Sequence, residues 1–315
     1  MLKEKEVINS MRKVIVVGSL NMDLTIKVDN MPSKGETIQG HDFLLNEGGK
    51  GGNQAVAAVK SNAEVSFIGS VGNDPFGAEV LSSLKNNGIN TDGIEVHKNQ
   101  PTGIAMIVCH ENDNRIILNP GANYALTFNF AKDNLDKLAS KEDIFVTQFE
   151  NNVDMTLKLI EYAKGIGMVT VLNPAPAKLF KDEYYKHIDI LIINQSECKL
   201  LTDIYPNNSK ECEKAAKILQ DKGAKDIIIT LGSKGSVTVT LDEIIRINAY
   251  EVETVDSTAA GDSFIGALVA KISFGSTLHE ALLYATKVSA LTVTREGAQI
   301  SIPTLEGVNK FFENK

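Results

Sequence analysis

Short apolar runs alternate along the chain with longer segments in which apolar residues recur at helical spacing. The first run, Val14–Val17, ends at Gly18, and similar runs follow it. A short run that is apolar throughout is typical of a strand whose two faces are both covered by helices. The strands predicted in this way are residues 14–17, 65–68, 144–147, 169–172, 190–193 and 227–230.

The segments between these strands have the apolar periodicity of helices. They are residues 51–62, 76–87, 153–164, 195–201 and 210–222, and Gly88 follows the second as a typical helix end. Strands that alternate with helices imply right-handed βαβ crossovers. The sequence therefore predicts an α/β fold, with a mostly parallel, doubly wound sheet and helices on both of its faces.

Two regions lack crossover helices and do not fit a parallel sheet. Residues 24–45 alternate in polarity, and residues 103–109 and 115–119 flank the turn Asn112-Asp113-Asn114. Strands joined in this way form hairpins. We expect them to build a small antiparallel β lid over the carboxyl edge of the main sheet. The lid would comprise residues 24–45 and 101–122, and the α/β core would comprise residues 1–23, 46–100 and 123–315.

Charge and composition exclude several classes of protein. The 315 residues carry a formal net charge of −8, which argues against nucleic acid or an anionic membrane as the main partner. The three cysteines form no Cys-x-x-Cys pair and the five histidines are scattered, so no zinc site is expected. No apolar run reaches membrane-spanning length, and residues 1–12 lack the apolar segment of a secretion signal. We therefore expect a cytoplasmic protein with a polar N-terminal extension.

Residues 256–270 give the strongest indication of chemistry. Small residues run from Ser257 to Gly261, and Asp262 then opens an apolar helical pattern. A bare turn that leads into a helix N-terminus binds anions, because free N–H groups and the positive end of the helix dipole point the same way. A carboxylate beside such a site is expected if the anion is a phosphoryl group and Asp262 takes a proton from its attacker.

Polar residues also recur where the predicted strands end, which is the edge where open α/β sheets bind ligands. A glycine-rich stretch with a lysine and an amide comes before the second strand, and amides, carboxylates and a threonine follow other strands. Taken singly, each of these residues is explained as well or better as a helix cap, a turn residue, a surface group or part of a flexible loop. Neither a Walker A motif nor a dinucleotide fingerprint is present. The residues are Asn21, Asp23, Lys50, Asn53, Glu150, Asn194, Glu197, Thr230 and Gly232.

Two stretches of the chain resemble the signatures of a known family. They are Gly48-Gly-Lys-Gly-Gly-Asn53-Gln-Ala and Asp256-Ser-Thr-Ala-Ala-Gly-Asp262. With them, the chain from Val14 to Pro303 is similar to the ribokinase, or phosphofructokinase-B, family of sugar and nucleoside kinases. The resemblance implies phosphorylation of D-ribose at its 5-hydroxyl by ATP, with Mg²⁺ and a monovalent cation, normally K⁺.

The resemblance also implies roles for individual residues. Asp262 corresponds to the catalytic base, and the anion hole facing the transferred phosphate corresponds to Ala259, Ala260 and Gly261. The sugar hydroxyls would be held by Asn21, Asp23, Gly49, Lys50, Asn53, Glu150 and Asp262. The nucleotide and its Mg²⁺ would lie against Asn194, Glu197, Thr230, Gly232 and Gly261. The K⁺ site would be formed by Asp256, Thr258, Thr292, Gly297 and Ser301, with both threonines acting through their carbonyls.

The resemblance leaves several substrates open. Fructokinases, 2-keto-3-deoxygluconate kinases, nucleoside kinases and deoxyribokinases could share this catalytic loop, although Asp23, Lys50 and Asn53 favour a small, hydroxyl-rich pentose. A sugar-binding regulator without catalysis is an alternative of another class, but it would need neither Asp262 nor the anion hole. In this family the lids also pair between subunits, which covers their edge strands, so a homodimer through the lid is expected.

Overall fold

The computed structural model describes residues 11–111 and 113–313, which form two β-sheets and the helices packed on them. The strands are β1 (Val14–Val17), β2 (Asn21–Lys27), β3 (His41–Gly48), β4 (Val65–Gly72), β5 (Asn90–His97), β6 (Gly103–His110), β7 (Asp113–Asn119), β8 (Ile144–Gln148), β9 (Val169–Asn173), β10 (Ile190–Asn194), β11 (Asp226–Thr230), β12 (Ser236–Val239) and β13 (Ile244–Ile247). The helices are α1 (Lys50–Lys60), α2 (Pro75–Asn86), α3 (Phe128–Leu138), α4 (Val153–Gly165), α5 (Gln195–Thr202), α6 (Ser209–Asp221), α7 (Ala260–Ser273), α8 (Leu278–Thr292) and α9 (Leu305–Glu313).

The larger sheet has the strand order β13-β12-β11-β10-β9-β8-β1-β4-β5. Neighbouring strands are parallel from β11 to β5, and β12 and β13 extend the sheet as an antiparallel hairpin. All the strands predicted from apolar runs belong to this sheet. The pattern misses β5, because this edge strand buries few side chains and so carries no apolar run.

The hydrophobic core lies in two layers, one on each face of the larger sheet. Val14 and Val16 of β1 belong to one layer, and Ile15 and Val17 belong to the other. The first layer is covered by α1, α2, α7, α8 and α9, and the second by α3, α4, α5 and α6. The sheet is therefore doubly wound with helices on both faces, as the sequence predicted.

Helix α7 is buried on nearly all sides, because α1 packs on one side of it and α8 on the other. Its apolar residues consequently do not form a narrow stripe. No segment was predicted as helical at α8, although its start has a sequence signature: Thr277 and Glu280 form a capping box. Neither α7 nor any other helix within residues 11–111 and 113–313 is long and apolar enough to cross a membrane.

The smaller sheet has the strand order β3-β2-β6-β7. The pairs β2–β3 and β6–β7 are antiparallel, as expected, and they join through the parallel pair β2–β6. The strands extend beyond residues 24–45, since β2 begins at Asn21 and β3 ends at Gly48. This sheet therefore leads directly into residues predicted to hold a sugar. Asn112 of the predicted turn and residues 1–10 of the predicted extension lie outside the described residues.

Candidate active site

The candidate site lies along the carboxyl ends of the parallel strands. Three of these strands, β8, β9 and β10, end at Gln148, Asn173 and Asn194, and β11 ends at Thr230. The strand register places Gln148 beside Asn173, and Asn194 beside Thr230. Polar side chains that are far apart in the sequence thus come together, because parallel strands all end at one edge.

The loop before α7 has the backbone shape of an anion site. Ala259, directly before the helix, adopts a left-handed conformation with φ of 60°, which costs a residue with a side chain about 1–2 kcal/mol. A left-handed residue followed by a helix start forms a concavity of N–H groups that binds anions. Gly261 leaves this concavity open, since a Cβ added there would meet no atom within 4 Å. Asp262, 7% exposed, lies in the same turn.

Both carboxylate oxygens of Asp262 accept hydrogen bonds from α1. The Nδ2 group of Asn53 donates to Oδ2 at 3.1 Å, and the Nε2 group of Gln54 donates to Oδ1 at 3.0 Å. The Oε1 atom of Gln54 in turn accepts from Gln148 Nε2 at 2.6 Å. The carboxylate is therefore held in one orientation by two successive side chains of α1.

Lys50, the first residue of α1, is surrounded by acidic groups. The carboxylate of Asp262 has the largest effect on the lysine and raises its pKa, whereas burial acts in the opposite direction. Glu150 and Glu197 raise the pKa of Lys50 further. Three carboxylates around one ammonium group leave the site with excess negative charge, which favours a bound cation or hydroxyl donors.

Glu150 caps the start of α1 from the end of a distant strand. The N-cap residue, Gly49, has no side chain to do so, and Glu150 Oε2 accepts instead from the backbone N–H of Lys50 at 3.0 Å. The same oxygen accepts from Ser19 Oγ at 2.6 Å, and Ser19 Oγ accepts from the backbone of Gly51 at 3.3 Å. Glu150 therefore positions Lys50 and its helix, in addition to the sugar contact predicted for it.

The side-chain amide of Asn21 is oriented by Asn123. The Nδ2 group of Asn123 donates to Asn21 Oδ1 at 2.8 Å and to the carbonyl of Leu20 at 3.1 Å. The Leu20 N–H donates back to Asn123 Oδ1 at 2.9 Å. Because Asn21 Oδ1 is already engaged, the NH₂ group of Asn21 is the part that remains to donate to a ligand.

Asp23 faces the space between the lid and the core. Ionising its carboxyl group there costs free energy. Burial raises its pKa from 3.8 to about 7, and the charges of Glu150 and Asp262 contribute to the same shift. Gly48 on β3 lies against it, and a side chain at that position would collide with the carboxyl group. Hydroxyl groups that donate to Asp23 would favour its ionised form.

Asn194 and Glu197 form the capping box at the start of α5. Asn194 Oδ1 accepts from the Glu197 N–H, and Glu197 Oε2 accepts from the Asn194 N–H, both at 2.9 Å. Burial raises the pKa of Glu197. The helix-cap interpretation of this pair is therefore correct, yet the same two residues line a cavity with Lys50 and Asp262.

Asp256 connects two of the loops predicted to bind a monovalent cation. Its Oδ1 atom accepts from the N–H and the hydroxyl of Thr258 at 2.9 and 2.7 Å, and its Oδ2 atom accepts from the Gly297 N–H at 3.0 Å. Thr292 and Ser301 donate their hydroxyl groups to backbone carbonyls within their own segments. The structure thus brings Asp256, Thr258 and Gly297 into direct contact, but gives Thr292 and Ser301 no hydrogen bond to them.

Three cavities meet at the loop before α7, and Ser257 lines all of them. The largest, about 690 Å³, lies under the lid and is lined by Asp23, Thr25, Leu44, Ile107 and Asp256. The second, about 220 Å³, is lined by Lys50, Asn173, Asn194, Glu197, Thr230, Ala259, Ala260, Gly261 and Asp262. The third, about 510 Å³, is lined by Thr230, Gly232, Tyr250, Ala260, Gly261, Phe264 and Thr286. Ala260 and Gly261 line both the second and the third cavity, and Ser257, just before this turn, links them to the cavity under the lid.

The residues that orient the predicted ones were not themselves predicted. These are Ser19, Gln54, Asn123 and Gln148, together with the apolar wall of the third cavity. Gln54 follows Asn53 directly within the glycine-rich signature, and Gln148 directly follows the predicted strand 144–147. Their positions therefore carried a signal, but their partners lie far away along the chain.

Comparison with known proteins identifies the family. Residues 11–305 match the pfkB family of carbohydrate kinases. The chain belongs to the pfkB family. This pfkB kinase is 37% identical over 316 residues to the ribokinase of Schizosaccharomyces pombe, covering 97% of this chain and 99% of that one. It is 34% identical over 303 residues to the deoxyribokinase of Salmonella typhi, with 95% and 98% covered.

A solved structure gives the same result for the fold of this pfkB kinase. The structure of Arabidopsis thaliana ribokinase complexed with ribose and ATP superposes with a TM-score of 0.89 at 28% identity. The superposition covers 96% of this chain and 99% of that chain. The family predicted from the two signatures is confirmed, and with it the α/β fold and the assignment of the protein as a kinase.

Proposed function

We propose that this pfkB kinase transfers the γ-phosphoryl group of ATP to the 5-hydroxyl of D-ribose. The observation that carries the proposal is the placement of Asp262 in the first turn of α7, in one cavity with Lys50, Asn194 and Glu197 and next to the loop whose Ser257 lines all three cavities. The similarity to ribokinases supports D-ribose as the sugar. The similarity to a deoxyribokinase makes 2-deoxyribose the second candidate.

Asp262 would act as the base in an in-line transfer. The sugar hydroxyl donates to the carboxylate and attacks the γ-phosphorus; its proton passes to Asp262 as the O–P bond forms and the bond to ADP breaks. A carboxylate suffices, because the transition state of phosphoryl transfer is loose and needs little early deprotonation. The N–H group of Gly261 would stabilise the charge on the transferred phosphoryl oxygens, and that of Ala260, which donates to the Ser257 carbonyl at 3.2 Å in this structure, would join it by turning to the phosphate.

The Asp262→Asn variant tests this role directly. We expect kcat to fall by about 10²–10⁴-fold, as is typical for the loss of a general base, while the protein still folds and binds the sugar. Asp133→Asn, which changes an exposed aspartate of α3, is the matched control. Near-normal turnover by Asp262→Asn would refute the assignment.

A divalent cation fits the second cavity. Glu197, whose pKa burial raises, lies there with Asn194 and Asp262. Among the described residues, no group of three or more His, Cys, Asp or Glu side chains is arranged to hold a metal. Mg²⁺ is usually bound by one or two carboxylates together with the phosphates of a nucleotide, so the ATP phosphates would supply its remaining ligands. Bound there, it would neutralise charge on the ATP phosphates.

A monovalent cation fits the loops joined by Asp256. The left-handed backbone of Gly297 and the Asp256 contacts to Thr258 hold several peptide groups close together. With K⁺ bound, Asp256 and the neighbouring carbonyls would fix the loop that precedes α7. The test compares activity in K⁺ with activity in tetramethylammonium at equal ionic strength, and equal rates would contradict this site.

The lid supports a homodimer. One row across its four strands consists of Leu45, Leu24, Met106 and Ile117, on the face opposite Thr25 of the lid cavity. Three of these side chains are 45–66% exposed, which is unusual for apolar groups side by side. Light scattering should therefore show a dimer that Ile117→Lys converts to a monomer. The control variant Leu241→Lys, in the exposed β12–β13 turn, should remain a dimer.

The choice of sugar is a separate question from the choice of reaction. A panel of ribose, 2-deoxyribose, fructose and adenosine, compared by kcat/KM, would rank the substrates within the family. We expect ribose to have the highest kcat/KM. If another sugar or adenosine has a higher value, that compound replaces ribose as the proposed substrate. Absence of ATP consumption with every sugar would instead favour the alternative of a sugar-binding regulator.

A further inference from the structure

Gln54 and Gln148 have no part in the mechanism above, yet they form a continuous hydrogen-bonded row with Asp262. Gln148 Nε2 donates to Gln54 Oε1 at 2.6 Å, and Gln54 Nε2 donates to Asp262 Oδ1 at 3.0 Å. Both glutamines are 1% exposed. We propose that Gln54 is a positioning residue that fixes the carboxylate of Asp262 for attack, and that Gln148 acts through Gln54. We call these three residues the amide row.

The direction of the amide row is set at Asp262. A carboxylate oxygen accepts hydrogen bonds, so Gln54 must turn its NH₂ group towards Asp262 and its carbonyl oxygen towards Gln148. Gln148 must then present its own NH₂ group to Gln54. The remaining Gln148 Oε1 atom is buried and has no hydrogen-bond partner among the described residues. No other hydrogen bond of Gln148 Oε1 therefore opposes the orientation that Asp262 imposes through Gln54.

Gln54 and Asn53 divide the two oxygens of Asp262 between them. Asn53 donates to Oδ2, but it is also predicted to contact the sugar, so a ligand can compete for its amide. Gln54 lines none of the three cavities described above and donates to Oδ1, so its influence passes through Asp262. Because α1 holds both oxygens, the carboxylate plane is fixed before the hydroxyl arrives, which is the preorganisation that a positioned reaction requires.

Two glycines make room for the amide row. A side chain on Gly18, at the end of β1, would collide with the amide of Gln148. A side chain on Gly266, one helical turn after Asp262, would collide with the backbone carbonyl of Gln54. The amide row therefore depends on the close approach of the sheet edge, α1 and α7. It connects these three elements at Asp262, the proposed catalytic base.

The test removes each amide while keeping the shape of its side chain. Gln54→Met in the full-length protein should lower kcat by about 10- to 100-fold, the effect of losing a hydrogen bond to a charged acceptor. The KM values for ribose and ATP should stay within about twofold of wild type, because Gln54 lines none of the three cavities. Gln148→Met should lower kcat less, and the double variant should match Gln54→Met alone, since Gln148 acts through Gln54.

Gln220→Met is the matched control. Its amide donates to the carbonyls of Lys225 and Val239, at the end of β11 opposite Thr230, so the variant loses two amide hydrogen bonds without touching the site. We expect its kcat to equal that of wild type. Melting temperatures of all variants separate a loss of stability from a loss of positioning.

The outcomes distinguish the amide row from the proposed function on which it rests. Wild-type kcat in Gln54→Met, a rise in KM that accounts for the loss, or additive losses in the double variant would overturn the row. If Asp262→Asn loses turnover while Gln54→Met keeps it, the row alone is wrong. If Asp262→Asn keeps turnover, the proposed base is wrong. Should Gln54→Met fail to fold, Gln148→Met decides: an unchanged kcat there overturns the row.

Discussion

Replacing Asp23 by asparagine should stabilise the ligand-free protein, although it removes a residue predicted to hold the sugar. Asp23 is 8% exposed, and burial with the neighbouring charges of Glu150 and Asp262 raises its pKa from 3.8 to about 7. The folded protein therefore binds the Asp23 proton more tightly than the unfolded chain does. Between these two pKa values, folding stability falls as the pH rises.

The magnitude follows from the difference between the pKa of Asp23 in the folded protein and its pKa in the unfolded chain. Below about pH 4 the carboxyl group is protonated in both states and carries no penalty, and above about pH 7 the penalty is complete. Each tenfold difference in proton affinity corresponds to about 1.4 kcal/mol, so the full penalty is about 4 kcal/mol. The Asp23→Asn variant does not have this ionisation penalty. Its free energy of unfolding, relative to wild type, should therefore increase by about 3 kcal/mol between pH 5 and pH 8.

Urea unfolding of wild type and Asp23→Asn at pH 5, 6, 7 and 8 measures this difference. The comparison cancels the titration of other groups as far as they are unaffected by the substitution. Asp133→Asn, which alters an exposed carboxylate, should show no such growth with pH. A stability difference between Asp23→Asn and wild type that stays constant from pH 5 to pH 8 would refute the reasoning.

Three further predictions concern sugar binding and the anion-binding turn. Below pH 7, affinity of wild type for ribose should weaken by about tenfold per pH unit, because hydroxyl donors require the ionised form of Asp23; calorimetry in two buffers should detect the released proton. Gly48→Ala should raise KM for ribose by about tenfold or more, since its Cβ would displace the Asp23 carboxyl group, whereas Gly165→Ala, which meets open space, should not. Gly261→Ala should keep the wild-type melting temperature, because its Cβ meets no protein atom, yet lower kcat by about 10²-fold. Wild-type activity in Gly261→Ala would show that phosphate does not approach this turn.

Much of the fold was predictable because local patterns reported burial directly. The strand at residues 14–17 and its parallel neighbours are apolar throughout, since helices cover both faces of the sheet. The edge strand β5 was missed because most of its side chains are not buried, so its sequence has no apolar run. β2 and β6 are parallel neighbours although they lie far apart in the sequence. No local pattern of residues encodes which distant strands will pair.

The site was predictable in its parts but not in its connections. The helix start at Asp262 and the lysine at the start of α1 were visible, because a turn of small residues and a glycine-rich stretch are local features. The hydrogen bonds that orient Asp262 and Asn21 come from Gln54 and Asn123, whose partners are remote in sequence. No spacing rule connects such pairs, because their contact depends on how the helices and strands pack.

By itself, the sequence determined the alternation of strands and helices, the anion-binding turn and the types of side chain present at the strand ends. Each of these rests on interactions within a few residues, which are written in the order of the chain. Tertiary structure alone decided that Asp23 would be buried beside two other carboxylates, and that two amides would hold the oxygens of Asp262. Burial and charge depend on what distant segments bring to the same place, and folding settles that by packing the whole chain.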